Sequence, residues 1–390
     1  MKILFLTFYF EPDLCAGSFR NTPLFQSLLK KLSKDDFIHV ITTFPNRYEG
    51  FAPDTQAKEK GENYLIERVQ LPSHKSGFVD QAKSFIPYYK KVLNSTKGKQ
   101  YDLVYASSSR LFTAFLGRVA SSRLKAPLYL DIRDIFVDTI NDVIKNKSLK
   151  SILVPILKQV ERYTFSKANH INLVSEGFAP YFKKYPNPSY SYFTNGIDDE
   201  FLSIEHPQIE TNNSIKTILY AGNIGEGQGL EKIIPEAALL LGSSYRFLVI
   251  GGGGRKPLLE ETIKNRGVKN VTLLPPVNRQ ELIEHYQSAD FLFLHLNNYE
   301  AFKKVLPSKI FEYAVFNKPI VAGVAGYAAE FVRKNVSDSI LFEPTNVEQL
   351  VEAIQGYQLN PIDRTDFIQK YSRKNIMNEM STDILRLVEK

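Results

Sequence analysis

The 390-residue sequence contains a single cysteine, Cys15, and no tryptophan. One cysteine excludes a fold held together by disulfides and is typical of proteins from reducing compartments. No apolar run approaches the roughly 20 residues that span a bilayer, and the first run, residues 3–10, ends at Glu11. We therefore expect a cytoplasmic protein without a transmembrane helix or a signal peptide.

Acidic residues are scarce in one half of the chain. Residues 1–195 contain 28 lysines and arginines against 17 aspartates and glutamates, whereas the remaining residues contain 21 against 25. A basic half favours an anionic partner. Because no helix-turn-helix, zinc or RNA-binding signature accompanies this charge, nucleic acid is not the expected partner. The expected partner is instead an anionic membrane surface.

Two segments of the basic half mix apolar residues with cations, as interfacial membrane segments do. The first, residues 78–93, contains Phe78, Phe85, Tyr88, Tyr89, Lys83, Lys90 and Lys91. The second, residues 148–167, contains Ile152, Leu153, Val154, Ile156, Leu157, Lys158, Arg162 and Lys167. An ordinary amphipathic helix packed on a sheet stays open as the alternative, in particular for the second segment.

Short β-rich runs alternate with helical patterns along the whole chain, which predicts an α/β fold of two doubly wound domains. The predicted strands are residues 2–9, 37–42, 103–106, 128–131, 170–174, 217–221, 246–250, 271–274, 291–294, 320–322 and 339–342. Helices are predicted between them, for example over residues 22–32 and 112–122. The break between the domains is expected near Asn195-Gly196, followed by a polar linker at residues 205–214.

The segment from Pro307 to Tyr313 places a small residue, a cation and a carboxylate at the start of one predicted helix. Ser308 is expected to cap this helix, which would direct its first amides and the Lys309 charge towards a phosphate. Glu312 would lie nearly on the same face as Lys309 and could accept both hydroxyls of a ribose. The segment therefore predicts a nucleotide site. A simple capping box is the alternative.

Two glycine-rich loops follow predicted strands. Residues 222–229 contain four glycines, and residues 251–254 are all glycine and precede Arg255. Glycine allows backbone amides to approach a phosphate closely. The second loop lacks the acidic residue that a dinucleotide fingerprint carries about 20 positions later, which argues against a dehydrogenase.

These motifs, in this order, resemble the donor domain of family 4 glycosyltransferases, in particular the branch that builds O-antigen and capsular polysaccharide. The resemblance rests on residues 220–225, 249–253, 289–290, 307–313 and 318–322. The first domain agrees with it. Its residues 8–12 with Gly17, Ser18 and Arg20 are similar to the opening loop of that branch, residues 131–136 to its central acidic motif, and Val174-Ser175 with residues 195–198 to the exit from the first domain.

The resemblance implies a GT-B fold, in which two Rossmann-like domains face each other across a cleft. Residues 1–195 would form the membrane-facing acceptor domain, residues 196–365 would bind a nucleotide sugar, usually a UDP-sugar, and residues 366–390 would return as a helix to the first domain. It further implies retention of the anomeric configuration, no metal and no cofactor. The implied acceptor is a saccharide linked to polyprenyl diphosphate, at the inner face of the cell membrane.

The resemblance also assigns candidate site residues. Donor binding is expected from Gly222, Asn223, Gly225, Gln228, Gly252, Gly253, Arg255, Pro307, Ser308, Lys309 and Glu312. Catalysis is expected from Asp134, Asp131, Arg133, Lys309 and Glu300, and acceptor binding from Gly17, Ser18 and Arg20. For Asp131 and Asp134, a structural role with Arg133 is the alternative.

This chain departs from the family pattern at three positions. Asn223 and Gln228 replace the arginine and lysine that hold the diphosphate in many relatives, and Lys304 occupies the position of the first of the paired glutamates. Glu300 is the nearest acid. We therefore expect the diphosphate charge to fall on backbone amides and Lys309, with Arg255 or Lys304 as further candidates.

His170 and His295 both lie on or directly after predicted strands. His170 is expected to be structural, whereas His295 follows a strand at a ligand-facing end and stays open between the two roles. A UDP-sugar epimerase of the same architecture and a non-catalytic assembly subunit are the alternative functions. Both share the predicted fold.

Overall fold

The computed structural model describes residues 1–46, 55–72, 78–108, 111–144, 146–204, 214–358 and 362–389, with side chains except at 78–82 and 143. The predicted linker, residues 205–214, lies outside the described residues except for Ser214. The chain divides into two compact units. Unit 1 comprises Met1–Asn195 and Arg373–Lys390, and unit 2 comprises Gly196–Ser372.

Strands and helices alternate in unit 1. Its elements are β1 (Lys2–Thr7), α1 (Ser18–Leu29), β2 (Phe37–Thr43), β3 (Lys58–Lys60), β4 (Tyr64–Val69), α2 (Phe78–Thr96), β5 (Leu103–Ser108), α3 (Leu111–Leu124), β6 (Leu128–Ile132), α4 (Phe136–Val143), α5 (Lys147–Phe165), β7 (His170–Leu173), α6 (Ala179–Phe182) and β8 (Ser189–Ser191).

The same alternation continues in unit 2. Its elements are α7 (Asp199–Leu202), β9 (Lys216–Asn223), α8 (Ile234–Leu241), β10 (Tyr245–Gly252), α9 (Lys256–Asn265), β11 (Val271–Leu274), α10 (Arg279–Ser288), β12 (Phe291–His295), α11 (Lys309–Tyr313), β13 (Ile320–Gly323), α12 (Tyr327–Asn335), β14 (Ser339–Phe342), α13 (Val347–Gln355) and α14 (Thr365–Lys370). The last helix, α15 (Arg373–Arg386), belongs to unit 1.

Each unit is built around one parallel sheet. The strand order in unit 1 is β3-β4-β2-β1-β5-β6-β7-β8, and only β3 runs antiparallel to its neighbour. The order in unit 2 is β11-β10-β9-β12-β13-β14. In both sheets the chain first builds outward in one direction and then returns to the other side of the first strand. This is the doubly wound Rossmann-like topology that the sequence predicts.

The central strands explain why the sheets form. In β1 the stretch Ile3–Leu6 is fully buried, and in β9 Ile218 and Leu219 are fully buried as well. Continuous apolar runs of this kind fit parallel strands that are covered by helices on both faces. The cores of both units therefore lie on the two faces of their sheets.

The C-terminal crossing differs from the prediction by seven residues. The prediction assigns residues 366–390, which include most of α14, to the helix that returns to the first domain. Phe367 of α14 instead packs in the core of unit 2, with its ring 6.0 Å from that of Phe311. The chain re-enters unit 1 at Arg373. From there α15 packs against α1, where the hydroxyls of Ser27 and Ser381 lie 2.9 Å apart.

Helix α2 corrects part of the predicted membrane segment at residues 78–93. Tyr88 is fully buried and donates from its hydroxyl to the carbonyls of Ile41 and Thr7 at 2.8 and 3.1 Å. Lys91 pairs with the buried Glu67 at 2.5 Å. These two side chains hold α2 on the sheet, and the buried Tyr88 cannot face a membrane. In the part of the chain that the structure describes, no helix is long and apolar enough to cross one.

Candidate functional site

The topology of unit 2 creates a crevice between the carboxyl ends of β9 and β12. The chain moves from β9 towards β10 on one side and resumes on the other side with β12, so the loops after these two strands separate in opposite directions. Ligands of doubly wound sheets bind at such a switch point. The first glycine loop follows β9, and the Pro307–Tyr313 motif follows β12, so the fold brings both predicted motifs to one place.

The two glycine loops are bonded to each other. The amide of Ile224 donates to the carbonyl of Gly252 at 2.8 Å, and the amide of Arg255 donates to the carbonyl of Ile224 at 2.9 Å. Gly251 has φ +149°, and a Cβ atom there would lie 1.9 Å from the Gly222 carbonyl oxygen. Only glycine permits this approach. The loops therefore form one preformed surface at the edge of the sheet.

Gln228 closes the first glycine loop from within. Its Oε1 accepts from the Asn223 side-chain amide at 3.0 Å and from the Gly225 backbone amide at 3.2 Å. The sequence predicted that Asn223, Gly225 and Gln228 contact the nucleotide. The structure shows them bonded to one another, so that Gln228 fixes the shape of the loop, and their contact with a nucleotide stays a prediction.

His295 anchors the same loop from below. Its Nδ1 lies 2.5 Å from the Gln228 carbonyl, and its Nε2 accepts the Thr345 amide at 3.0 Å. The second bond requires an unprotonated Nε2, so Nδ1 carries the proton. Burial lowers the pKa of His295 to about 4, although its bond to Gln228 opposes this. Of the two roles left open by the sequence, the structure supports the structural one.

Lys309 forms a charged cluster beside the glycine loop. Its Nζ lies 2.6 Å from Glu312 Oε2 and 3.0 Å from the Tyr286 hydroxyl, which itself lies 3.3 Å from Glu312. A Cβ atom on Gly222 would lie 3.5 Å from Lys309 Cε. Desolvation lowers the pKa of Lys309, but the charge and hydrogen bond of Glu312 together with Tyr313 and Tyr220 outweigh it, and the pKa is raised. The lysine is thus a cation held against the loop.

Several predicted features of this site need correction. Helix α11 has only five residues, and Ser308 makes no side-chain cap, so the expected phosphate seat at a capped helix end is not formed. Arg255 pairs with Glu226, as Lys309 does with Glu312, so a role of Arg255 in donor binding stays a prediction. Glu300 has a side chain that is 76% exposed and pairs with Lys303 at 2.5 Å. Among the described residues, Lys309 is a cation that lies directly beside Gly222.

Arg279 is a site residue that the sequence reasoning missed. It lies at the start of α10, donates to Asp198 at 2.6 Å and to Glu200 at 2.9 Å, and covers the Phe201 ring. Desolvation lowers its pKa, but the charges of Glu312 and Asp198 raise it overall. Arg279 thus connects the segment after Gly196 with the Lys309 cluster. Its spacing from these partners in sequence gave no signal.

In unit 1, Asp131 and Arg20 form a buried ion pair. The guanidinium donates to both carboxylate oxygens at 2.8 Å, and Asn172, Ser107 and Tyr105 donate at 2.8, 3.1 and 3.2 Å. Both side chains are fully buried. Burial raises the pKa of Asp131, but Arg20 and these bonds lower it below its usual value.

This pair corrects two predictions. Asp131 was a catalytic candidate and Arg20 an acceptor-binding candidate, but every side of the pair is occupied by protein. Arg20 also donates to the carbonyls of Phe193 and Thr194 at 2.8 Å. Ser18 is only 3% exposed. These residues therefore hold α1, β6 and the end of unit 1 together rather than contacting a substrate.

Arg133 and Asp134 differ from Asp131 in their surroundings. They follow β6 at its carboxyl end, where Arg133 is partly buried and Asp134 is exposed. Surrounding protein raises the pKa of the Asp134 carboxyl to about 6, while the Arg133 charge lowers it. Water that reaches the exposed carboxylate moderates this shift. A Cβ atom on Gly17 would lie 2.9 Å from Arg133 Nη1, so the opening loop and the acidic motif meet here.

The described residues contain no group of three or more histidines, cysteines and acids that could hold a metal ion. Cys15, the single cysteine, has a free thiol.

The fold and the paired loops define the class: each unit is a Rossmann-like α/β domain, and the two together have the domain content of a GT-B fold. Solved structures agree. Sucrose-phosphate synthase from Thermosynechococcus elongatus matches with a TM-score of 0.71 at 13% identity, covering 99% of this chain and 96% of that one. HepE of Anabaena, crystallised with UDP and glucose, matches with a TM-score of 0.64 at 16% identity, covering 100% and 97%.

Sequence comparison points to one family. Residues 203–374, almost all of unit 2, match the family model for glycosyl transferases group 1. The WcaI protein of Escherichia coli (strain K12), which carries the name of a colanic acid biosynthesis glycosyl transferase, is 27% identical over 206 residues, or 51% of this chain. The alignment spans about half the length of that relative, 50%.

Proposed function

We propose that the protein transfers a sugar from a nucleotide sugar to a saccharide acceptor in the synthesis of a bacterial surface polysaccharide. The observation that carries the proposal is the meeting of two glycine loops with the Lys309–Glu312 pair at the switch point of unit 2. A glycine surface, a cation and a carboxylate suit a diphosphate and a ribose. The family match of residues 203–374 supports the same assignment.

The first candidate donor is a UDP-sugar, such as a UDP-N-acetylhexosamine. HepE, which shares the fold, was crystallised with UDP and glucose. In the proposed reaction the bond between the anomeric carbon and the diphosphate breaks, and UDP leaves with the electron pair. The acceptor oxygen bonds to the same carbon with retained configuration, and its proton passes to the leaving phosphate. No metal is needed, because Lys309 offsets the developing charge.

Unit 1 supplies the acceptor site in this proposal. Asp134 lies exposed at the carboxyl end of β6, in the loop region where doubly wound domains bind ligands. Its carboxylate can accept a hydrogen bond from an acceptor hydroxyl and orient it. We place Asp134 in this role instead of Asp131, whose carboxylate is filled by Arg20.

The proposed acceptor is carried on a lipid, which requires unit 1 to reach a membrane. Helix α5 provides the surface: Val154, Leu157 and Phe165 are buried, whereas Leu149, Ile152 and Ile156 on its outer side are 52, 66 and 56% exposed. Its inner side is fixed through Glu161, which accepts hydrogen bonds from Tyr181 and Tyr185 at 2.7 Å. Unit 1 is also the basic unit, so its charge complements an anionic surface.

Vesicle flotation tests the membrane part. We expect binding to anionic vesicles at low salt that weakens as salt rises, and a loss of roughly tenfold or more in the Ile152→Ser/Ile156→Ser variant, since each exposed isoleucine that enters the interface contributes about 1.5–3 kcal/mol. Leu239→Ser/Leu240→Ser is the matched control, because these leucines are 45 and 52% exposed on unit 2. Docking through α5 would be refuted if Ile152→Ser/Ile156→Ser and Leu239→Ser/Leu240→Ser bound the vesicles equally well.

A transfer assay tests the reaction itself. The protein is mixed with a UDP-sugar labelled in the sugar, with and without a polyprenyl-diphosphate-linked saccharide, and the products are separated. A labelled lipid product that forms only with the acceptor supports the proposal. Conversion of the UDP-sugar into its epimer without acceptor would establish the epimerase instead. UDP binding without any conversion across a panel of nucleotide sugars and acceptors would establish an assembly subunit.

A further inference from the structure

Arg133 is a cation without a side-chain partner among the residues that the structure describes. Its backbone amide donates to the Ser108 carbonyl at 3.0 Å, but its guanidinium makes no hydrogen bond and no ion pair with any residue that the structure describes. Its Nε is buried and unpaired. A desolvated, unsatisfied donor of this kind costs free energy comparable to a lost hydrogen bond, and a bound anion would remove that cost.

The neighbouring acids do not neutralise Arg133. Asp131, two positions earlier on β6, is filled by Arg20. Asp13, an acid of the opening loop, accepts the Asn46 amide at 3.2 Å. Asp134 is exposed, and the Arg133 charge lowers the pKa of its carboxyl, but no ion pair joins the two side chains among the described residues. Within the described residues, Arg20 is thus fully paired, whereas the guanidinium of Arg133 has no hydrogen-bond or ion-pair partner.

Gly17 makes room beside the guanidinium. A Cβ atom at this position would lie 2.9 Å from Arg133 Nη1 and 2.9 Å from Tyr9 Cβ, so any larger residue would displace the arginine from its present place. The same glycine precedes α1, whose residue Arg20 holds Asp131. The buried pair therefore fixes the loop that frames Arg133.

We propose that Arg133 binds the diphosphate of the lipid carrier on which the acceptor is built. A guanidinium fork matches a phosphate with two parallel hydrogen bonds, and the site lies at the carboxyl end of β6 in the unit that carries the excess of basic residues. The inference rests on the proposed function, because it takes the acceptor to be lipid-linked. It adds the residue that holds the acceptor's charged group, whereas Asp134 next to it contacts the hydroxyl.

The test uses the full-length protein saturated with UDP, which occupies the donor site of unit 2. Inorganic pyrophosphate and farnesyl diphosphate are the two probes, glucuronate is the carboxylate comparison, and each is titrated by calorimetry into the wild type and into Arg133→Gln, Arg133→Lys and Arg123→Gln. Arg123 is the matched control, because it is an exposed arginine of unit 1 at the end of α3. Its substitution removes the same charge from the same unit.

We expect Arg133→Gln to weaken both probes roughly ten- to hundredfold, as for charge-assisted hydrogen bonds. The affinity of Arg133→Lys for both probes should lie between those of the wild type and Arg133→Gln, since lysine keeps the charge but cannot form two parallel hydrogen bonds. Arg123→Gln should change neither probe. Because Arg133 makes no described side-chain bond, its variants should melt within about 2 °C of the wild type.

Three outcomes would overturn the inference: unchanged binding of both probes, a fall in melting temperature that shows a structural role, or a loss for glucuronate that exceeds the loss for pyrophosphate, which would make the ligand a carboxylate. Affinity for UDP, measured separately, reports on the proposed function. If wild type binds no UDP, the donor assignment fails. If UDP binds equally to wild type and Arg133→Gln, the two assignments are independent.

Discussion

Replacing Asp131 by asparagine separates a structural role from a catalytic one. The carboxylate receives five hydrogen bonds, two of them from Arg20, in a place without solvent. Asparagine keeps the shape but turns one oxygen into a donor. At the Oδ1 position this NH₂ group would face the N–H groups of Arg20 and Asn172. At the Oδ2 position it would face the N–H of Arg20 Nε and the hydroxyls of Ser107 and Tyr105. These two hydroxyls can turn and accept a hydrogen bond instead of donating one.

The second orientation costs less, yet it leaves the Arg20 charge buried without a counter-charge. Breaking a buried pair in this way costs about 3–5 kcal/mol. A domain has a stability of about 5–15 kcal/mol, so unit 1 should lose a large share of its stability. The loss should be confined to unit 1, because no bond of this network reaches the Lys309 cluster.

Hydrogen exchange measured by mass spectrometry provides the assay, since it reports the opening of each unit separately. We expect faster exchange in β5 and β6 of Asp131→Asn, unchanged exchange in β9 and β12, and unchanged UDP affinity. Asp134→Asn is the control: its side chain is exposed, and its stability should stay within about 0.5 kcal/mol of wild type. An Asp131→Asn protein with wild-type exchange and no transfer activity would refute the structural role.

Two further predictions concern each unit separately. Burial and the Lys99 charge lower the pKa of His39 to about 4, against an opposing effect of Glu67. Between about pH 4 and 6.5 the unfolded chain therefore binds more protons than the folded chain, and the free energy of unfolding of unit 1 should rise by on the order of 3 kcal/mol as the pH rises through this window. In urea unfolding, His39→Gln should flatten this dependence of stability on pH. A His39→Gln profile parallel to that of the wild type would contradict the assignment. In unit 2, Gly251→Ala should abolish UDP binding in calorimetry, because its Cβ atom would lie 1.9 Å from the Gly222 carbonyl oxygen. Gly242→Ala is the control and should leave UDP binding intact, because Gly242 also has positive φ but no atom lies near its Cβ position. Equal effects of the two substitutions would show that φ alone matters.

The sequence predicted the sheets well because their central strands are continuous apolar runs. Its predicted strands at residues 103–106 and 217–221 correspond to β5 and β9, which each extend by a few residues. Strands β3, β4 and β8 were missed, and of these β3 and β8 lie at the edges of the sheet. The sequence of β3 is Lys-Glu-Lys and that of β8 is Ser-Tyr-Ser. Such short polar strands form because a neighbouring strand offers hydrogen bonds, which local sequence does not encode.

The candidate site was predictable in its place but not in its side-chain roles. The glycine loops and the Lys309 motif follow strands, and parallel topology brings the ends of neighbouring strands together. The partners of individual charges come from distant parts of the chain: Arg20 is 111 positions from Asp131. Spacing within residues 131–134 therefore could not tell which aspartate is buried. For α2, by contrast, the helical spacing of Tyr88 and Lys91 already placed both on one face.

The donor site of unit 2 is tested most directly by comparing uridine with UDP in calorimetry. Lys309→Met should weaken UDP roughly ten- to hundredfold and uridine less than about threefold, because the proposed role of the lysine is to bind the diphosphate and not the nucleoside. Glu312→Gln should weaken both equally, because the ribose is common to them, and Lys309→Met/Glu312→Gln controls for the carboxylate left unpaired in the first variant. Equal losses of uridine and UDP in Lys309→Met, or no loss of either, would contradict a nucleoside diphosphate site at this cluster.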